Sequence, residues 1–210
     1  MGRLILLKGM NPDADVFSRL ASEFPDAEHV DWPSVNSRTN LCDFAGDLIG
    51  RYRIDSSCSL VGVSFGGIVA QEIASIVNCR LCVVISSVCA RRELPGFGRF
   101  LGTLPVSYVF RLCAFSTKFR FFGGPVSCDE AWISWVRSRV ITWKAPTICS
   151  KTRLVRIHGD QDRIFPNGGL DADVIIEGGG HLIIATHSNE IHEVIPVSYT
   201  HLTLPTIYSV

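Results

Sequence analysis

The most constraining feature of the sequence is the segment LVGVSFGGIVAQEIA at residues 60–74, where an apolar run meets an amphipathic run at Ser64. The first run has the composition of a buried strand, and the second has apolar residues at helical spacing. Glycines at 62 and 66 flank the corner, and glycine leaves room where two backbones approach closely. The segment therefore predicts a strand, a sharp turn at Ser64 and a helix that begins at Phe65.

The same alternation of strand and helix continues along most of the chain. It predicts strands in RLILLK, AEHVDWPS, SCSLVGVS, RLCVVISSV, TRLVRIHGD and ADVIIEGGG. Helices are predicted in DADVFSRLASEF, in TNLCDFAGDLIGRYRI with Thr39 or Asn40 as its cap, from Phe65 to about Val77, and in HSNEIHEVI. Nearly continuous apolar strands that alternate with helices indicate an α/β fold, with a mainly parallel sheet of about six strands and helices on both faces.

The alternation is interrupted between about residues 91 and 145. Aromatic residues become frequent there, and the runs VSYVFRLCAF and DEAWISWVRSRVITW have helical spacing with no strand between them. This predicts a small helical insertion, whose apolar side chains either line a substrate pocket or pack the insertion against the rest of the chain. The insertion also carries nine of the 20 basic residues and three acidic ones. Two interpretations of this excess of basic residues are open: it attracts an anionic substrate or a lipid surface, or it is simply the solvated face of a helix.

Composition excludes several classes of protein and partner. Twenty basic residues balance twenty acidic ones, so the whole molecule offers no long-range attraction for nucleic acid. The apolar run at the N-terminus is too short for a signal peptide or an integral membrane segment. Eight scattered cysteines with no second CxxC motif indicate reduced, buried thiols with no metal site, and hence a cytoplasmic protein. Residues 197–210 show no helical period, cap or partner strand, and we interpret them as a non-native tail.

Three polar residues that follow predicted strands form a candidate catalytic set. Residues 62–66 fit the Gly-x-Ser-x-Gly pattern in the strand–turn–helix context that presents a nucleophile; alternatively, Ser64 only caps the following helix. A serine nucleophile needs a base and an orienting carboxylate, and with this motif they follow in the order Ser, Asp or Glu, His. RIHGDQDRIFP and EGGGHLI supply Asp162 and His181 in that order, with Asp160 as a second choice for the acid.

These three segments resemble the nucleophile elbow, the HGxxDxxxP acid loop and the GGGH histidine loop of the α/β-hydrolase superfamily. The resemblance spans the chain from Arg3 to about Ile195 and implies one domain over residues 1–196, with a cap at about 91–145. It selects Asp162 over Asp160 and makes His158 a structural residue at a strand end.

The resemblance also implies an oxyanion hole, which would be formed by the backbone N–H groups of Phe65 and Met10. Lys8-Gly9-Met10 stands where lipases have His-Gly-Gly, so the second donor depends on a sequence that departs from the lipase pattern. In the implied cap, the candidate substrate pocket is apolar, and its proposed lining consists of Phe97, Phe100, Leu104 and Tyr108.

The function expected from these features is hydrolysis of a small-molecule carboxylic ester, of small or medium acyl or alkyl size, through an acyl-enzyme. No cofactor and no metal are expected. Hydrolysis of thioesters, amides or carbon–carbon bonds and perhydrolysis use the same machinery, and the fold also serves as a ligand-binding module with little turnover. The sequence leaves these alternatives open, as it does the oligomeric state.

Overall fold

Six short strands form one parallel sheet, as the sequence predicts. In the computed structural model, residues 2–12, 15–94, 130–166 and 170–200 are described. The strands are β1 (Leu4–Leu7), β2 (Glu28–His29), β3 (Ser59–Val63), β4 (Leu81–Ile85), β5 (Arg153–Gly159) and β6 (Val174–Ile176). Their order across the sheet is β2-β1-β3-β4-β5-β6, and every neighbouring pair is parallel. The predicted α/β class and strand number are therefore confirmed.

The strand order places a topological switch point between β1 and β3. From β1 the chain crosses to β2 on one side, and it then returns to β3 on the other side and continues to β6. In open parallel sheets, ligands bind beyond the carboxyl ends of the strands at such a point. The turns that follow β1 and β3 are therefore the first place to look for a site.

Helices cover both faces of the sheet. Those in the described residues are α1 (Ser18–Ala21), α2 (Leu41–Tyr52), α3 (Phe65–Val77), α4 (Glu130–Thr142), α5 (Ile183–Thr186) and α6 (Ser188–Thr200), with a 3-10 helix at Arg91–Glu93. Within the described ranges, no helix is both long enough and apolar enough to cross a membrane.

Two hydrophobic clusters lie on opposite sides of the sheet because side chains alternate along each strand. On β1, Ile5 and Leu7 face the cluster that contains α2, α3 and α4. Leu4 and Leu6 face the cluster that contains α1, α5 and α6. All residues of β1, β3 and β4 are buried, which explains why these strands have no alternating polar face.

Some local predictions hold and others fail. Asn40 caps α2 by accepting a hydrogen bond from the Asp43 N–H, as predicted. Of the first predicted helix, DADVFSRLASEF, the described residues form only the four-residue helix α1. Helix α6 continues to Thr200, although the sequence predicted no helix beyond Pro196. A proline inside a helix removes one backbone hydrogen bond and its ring crowds the carbonyl group four residues earlier, so the pattern predicted an end where the helix continues.

Candidate active site

Ser64 occupies the sharp corner between β3 and α3. Its backbone has φ 54° and ψ −117°, a conformation that is strained for a residue with a side chain. A Cβ on Gly62 would collide with the carbonyl oxygen of Gly66, and one on Gly66 would collide with that of Leu7. Side chains at these two positions would force the elbow open, so the close approach of β1, β3 and α3 requires glycine.

The backbone of Ser64 is held on both sides. Its N–H donates to the carbonyl oxygen of Ile85 at 2.9 Å, and its own carbonyl oxygen accepts from the Gly67 N–H at 3.0 Å and from Ser87 Oγ at 2.6 Å. Among the described residues, the Ser64 side chain makes no capping hydrogen bond to α3, so the alternative role as a helix cap has no support in the contacts. Its hydroxyl lies instead 3.0 Å from His181 Nε2.

His181 follows β6 and bridges the two other predicted residues. Its Nε2 faces Ser64 Oγ, and its Nδ1 lies 2.8 Å from Asp162 Oδ2. An ionised carboxylate only accepts hydrogen bonds, so the Nδ1 position carries the hydrogen and Nε2 presents a lone pair to the serine hydroxyl. The imidazole packs against the Phe165 ring at an interplanar angle of 64°, with the ring centroids 5.4 Å apart, and this contact restricts its rotation.

Asp162 lies after β5 with a fully buried side chain. Its Oδ1 accepts from the backbone N–H groups of Ile164 at 2.8 Å and Phe165 at 3.0 Å, and its Oδ2 faces the histidines. Burial raises the pKa of this carboxyl, but hydrogen bonds from His158, His181 and the backbone, with the attraction of His181, outweigh burial and lower the pKa well below its usual value. The group is therefore an anion at neutral pH.

Asp160, the second choice for the acid, is exposed, and its backbone N–H is bonded to the carbonyl oxygen of Ile176. His158 is buried at the end of β5, where its Nε2 lies 2.7 Å from the Phe165 carbonyl oxygen and 3.2 Å from Asp162 Oδ2. Both partners are acceptors, so the Nε2 hydrogen is shared between them. The contact with Asp162 was not predicted from the sequence; the only signal for it was the four-residue spacing.

The segments that carry the two predicted oxyanion donors approach Ser64. Phe65 directly follows Ser64 and begins α3. A Cβ built on Gly9 would lie 3.7 Å from Ser64 Cβ, so the turn that contains Met10 runs alongside the serine. The predicted pocket residues Phe97, Phe100, Leu104 and Tyr108 lie outside the described residues.

Metal and thiol chemistry have little support among the described residues. Among the residues that the structure describes, no three His, Cys, Asp or Glu side chains group together as a metal site requires. Cys58, Cys79 and Cys82 are buried thiols, and burial raises the pKa of Cys79 to about 12. A thiol that resists deprotonation in this way is a poor metal ligand and a poor nucleophile.

No protein-family model matches the chain, and no curated protein is significantly similar to it in sequence. Solved structures are similar over nearly the whole length. The thioesterase RedJ from the prodiginine biosynthetic pathway of Streptomyces coelicolor has a TM-score of 0.70 and 13% identity, over 93% of this chain and 89% of that one. A thermophilic esterase from Thermogutta terrifontis has a TM-score of 0.68 and 13% identity, over 93% and 88%.

ClbQ, from the colibactin NRPS/PKS pathway, has a TM-score of 0.65 and 16% identity, over 94% of this chain and 96% of that one. At sequence identities this low, the structural similarity shows a shared fold and nothing about activity. The strand order, the serine elbow and these neighbours agree on one architecture. The chain has the α/β-hydrolase fold.

Proposed function

We propose that this protein is a serine hydrolase that cleaves carboxylic esters of small or medium acyl or alkyl size. The observation that carries the proposal is the continuous contact from Ser64 Oγ to His181 Nε2 at 3.0 Å and from His181 Nδ1 to Asp162 Oδ2 at 2.8 Å. A serine hydroxyl becomes an effective nucleophile when a base oriented in this way can take its proton.

The proposed reaction has two halves. Ser64 Oγ attacks the ester carbonyl carbon and its proton passes to His181 Nε2; the tetrahedral intermediate then collapses, and His181 protonates the leaving alcohol. In the second half His181 takes a proton from water, which attacks the acyl-enzyme, and the carboxylic acid departs as Ser64 regains its proton. Asp162 stabilises the imidazolium that forms twice in this cycle. The Phe65 and Met10 N–H groups would hold the oxyanion.

Cellular location is part of the proposal. The six cysteines in the described ranges, Cys42, Cys58, Cys79, Cys82, Cys89 and Cys149, are all free thiols. Disulfides form and persist in oxidising compartments and are rare in the cytosol. Free thiols in a chain so rich in cysteine therefore support a cytoplasmic enzyme.

A fluorophosphonate probe tests the nucleophile directly. Wild-type protein should gain one adduct by intact mass, peptide mapping should locate it on Ser64, and Ser64→Ala should gain none. Turnover of p-nitrophenyl butyrate should fall by about six orders of magnitude in Ser64→Ala, because the three residues act as a unit. Folded wild-type protein that takes up no probe would contradict the proposal and favour a ligand-binding module.

The bond type is tested with matched substrates. Butyryl p-nitrophenyl ester and the butyryl thioester of N-acetylcysteamine carry the same acyl group, so a difference in kcat/KM reports the leaving atom and its surroundings. We expect the ester to be the better substrate, and we expect activity to fall as the acyl chain is lengthened from butyryl to palmitoyl. A thioester preferred by tenfold or more would move the assignment to a thioesterase.

A further inference from the structure

Two indole side chains hold the backbone of the turn after β1. Trp32 Nε1 donates to the carbonyl oxygen of Gly9 at 2.9 Å, and Trp132 Nε1 donates to that of Met10 at 2.8 Å. The two tryptophans come from different parts of the chain: Trp32 follows β2, and Trp132 lies on α4. Their convergence on two consecutive carbonyl groups is a tertiary feature of the fold.

The two hydrogen bonds fix both peptide planes that flank the Met10 Cα. The peptide bond between Gly9 and Met10 is trans, so its carbonyl oxygen and its N–H point in opposite directions. Trp32 holds the oxygen end of this plane, and the Met10 N–H is the other end. Trp132 holds the next plane along the chain. Two side chains outside the turn therefore constrain the direction of the Met10 N–H.

The Met10 side chain contributes little to this arrangement, because it is 41% exposed. A loop residue anchored neither by its side chain nor by a strand would have a mobile peptide plane. Trp132, in contrast, is only 8% exposed. The two indole hydrogen bonds are therefore contacts that help to give this turn a defined backbone orientation.

Trp32 and Trp132 also connect this turn to Phe65, the residue after the proposed nucleophile. The Phe65 ring meets the Trp32 ring edge-on at 5.6 Å between centroids, and it meets the Trp132 ring at 5.9 Å with an interplanar angle of 87°. Trp32 and Trp132 are themselves 6.2 Å apart. One aromatic cluster, completed by Phe44 and Trp135, thus packs against Phe65 and bonds to the turn of Met10.

We propose that Trp32 and Trp132 are positioning residues that aim the Met10 N–H at the oxyanion, and this inference rests on the proposed function. An oxyanion donor stabilises the transition state only if it is oriented before the reaction begins. A hydrogen bond accepted by the Gly9 carbonyl also polarises its peptide group, which makes the Met10 N–H a stronger donor. The hydrogen bond from the Met10 N–H strengthens as negative charge develops on the substrate carbonyl oxygen in the transition state. Loss of its orientation should therefore lower kcat.

The test replaces each indole by a ring without a donor. Trp32→Phe and Trp132→Phe keep an aromatic side chain and remove the N–H. Trp135→Phe is the matched control: Trp135 lies on the same helix and in the same cluster, is 5% exposed, and donates at 2.8 Å to the Thr39 carbonyl oxygen, away from the turn. All three changes remove one indole hydrogen bond of similar length.

With p-nitrophenyl butyrate we expect kcat to fall about tenfold in Trp32→Phe and in Trp132→Phe, with KM changed by less than about twofold, and to stay near wild type in Trp135→Phe. Removing an oxyanion donor altogether costs about 10²–10³ in kcat, so a misaimed donor should cost less. A butyl trifluoromethyl ketone, which forms a hemiketal oxyanion on Ser64, should bind about tenfold more weakly to the first two variants.

The results can contradict this inference without contradicting the proposed function. An active wild type in which Trp32→Phe and Trp132→Phe match Trp135→Phe in kcat and in ketone affinity would overturn this inference and leave the proposed function standing. A wild type that neither hydrolyses the ester nor reacts with a fluorophosphonate would overturn both. If a phenylalanine variant does not fold, benzothienylalanine at the same position keeps the shape of the bicyclic ring, removes only the N–H, and gives the same comparison.

Discussion

Replacing Asp162 with asparagine should put a hydrogen-bond donor in place of the acceptor that faces His181, without changing the shape of the side chain. Asp162 Oδ1 accepts two backbone N–H groups, from Ile164 and Phe165. An asparagine must therefore keep its carbonyl oxygen at this position, because its NH₂ group would otherwise face two donors. The NH₂ group then occupies the Oδ2 position, which faces His181 Nδ1 and His158 Nε2.

This orientation selects the wrong tautomer of the base. The asparagine NH₂ donates to His181 Nδ1, so the imidazole hydrogen moves to Nε2, which now faces Ser64 Oγ with a hydrogen and cannot accept the serine proton. Loss of the orienting carboxylate in a serine triad lowers kcat by about 10⁴, or about 5.4 kcal/mol in transition-state stabilisation. His158 also loses one acceptor but keeps the Phe165 carbonyl oxygen, so the fold should persist.

The assay compares kcat for p-nitrophenyl butyrate and the rate of fluorophosphonate labelling in Asp162→Asn, Asp160→Asn and wild type. Asp160 is an exposed neighbour two residues away, and its asparagine variant should stay within about twofold of wild type. Far-ultraviolet circular dichroism checks that both variants are folded. Asp162→Asn with more than a tenth of wild-type kcat, or Asp160→Asn with the larger loss, would refute the assignment of the acid.

Three further predictions concern stability. Strain at Ser64 costs about 1–3 kcal/mol, so Ser64→Gly should be about 1 kcal/mol more stable than Ser64→Ala in urea unfolding; equal stability would show that the elbow is unstrained. The pKa of Asp162 is lower in the folded protein than its value of about 3.9 in the unfolded chain. The ionised carboxylate therefore stabilises the fold above that unfolded pKa, and this stability is lost as the pH falls from there toward the folded pKa. In acid titration, Asp162→Asn should lose less unfolding free energy below about pH 5 than wild type does. Arg156→Met should lower the free energy of unfolding by about 3 kcal/mol, because the buried Glu93 carboxylate loses the guanidinium that lies 2.8 Å away. Adding Glu93→Gln to this variant should raise its thermal unfolding temperature again. A double variant whose loss of stability equals the sum of the two single losses would contradict the pairing.

The parts of this molecule that sequence predicts well are those set by local rules. The elbow at Ser64 follows from apolar periodicity on both sides and from glycines whose missing side chains make the corner possible. Asp162 and His181 each follow a strand of a parallel sheet, so the topology alone brings them to one edge beside Ser64. Chain order and strand ends were enough to select His181 and the loop after β5, whereas the choice of Asp162 over Asp160 came from the resemblance to the acid loop.

The contacts that sequence missed are set by packing between distant segments. Trp132 and Met10 are separated by 122 positions, and a tryptophan on an apolar helix face is indistinguishable in sequence from an ordinary core residue. The contact of His158 with Asp162 depends on how the β5 loop turns back on itself, which the spacing of two polar residues does not fix. The sequence also did not show that β2, at the edge of the sheet, pairs with β1 over only two residues.

Taken together, the contacts divide the proposed machinery into two halves with different supports. The proton-transfer half, His181 and Asp162, is held by loops after β5 and β6 through hydrogen bonds such as that from Gln161 N–H to the Gly179 carbonyl oxygen at 2.8 Å. The oxyanion half, Phe65 and the turn of Met10, is contacted by Trp32 and Trp132, which bond the turn and pack against the Phe65 ring. Because the two supports share no side chain among these contacts, changes in one should add to changes in the other. A double variant with Trp132→Phe and Asp162→Asn should therefore lose about 10⁵ in kcat, whereas a loss no larger than that of Asp162→Asn alone would mean that the donor acts only when the base is intact.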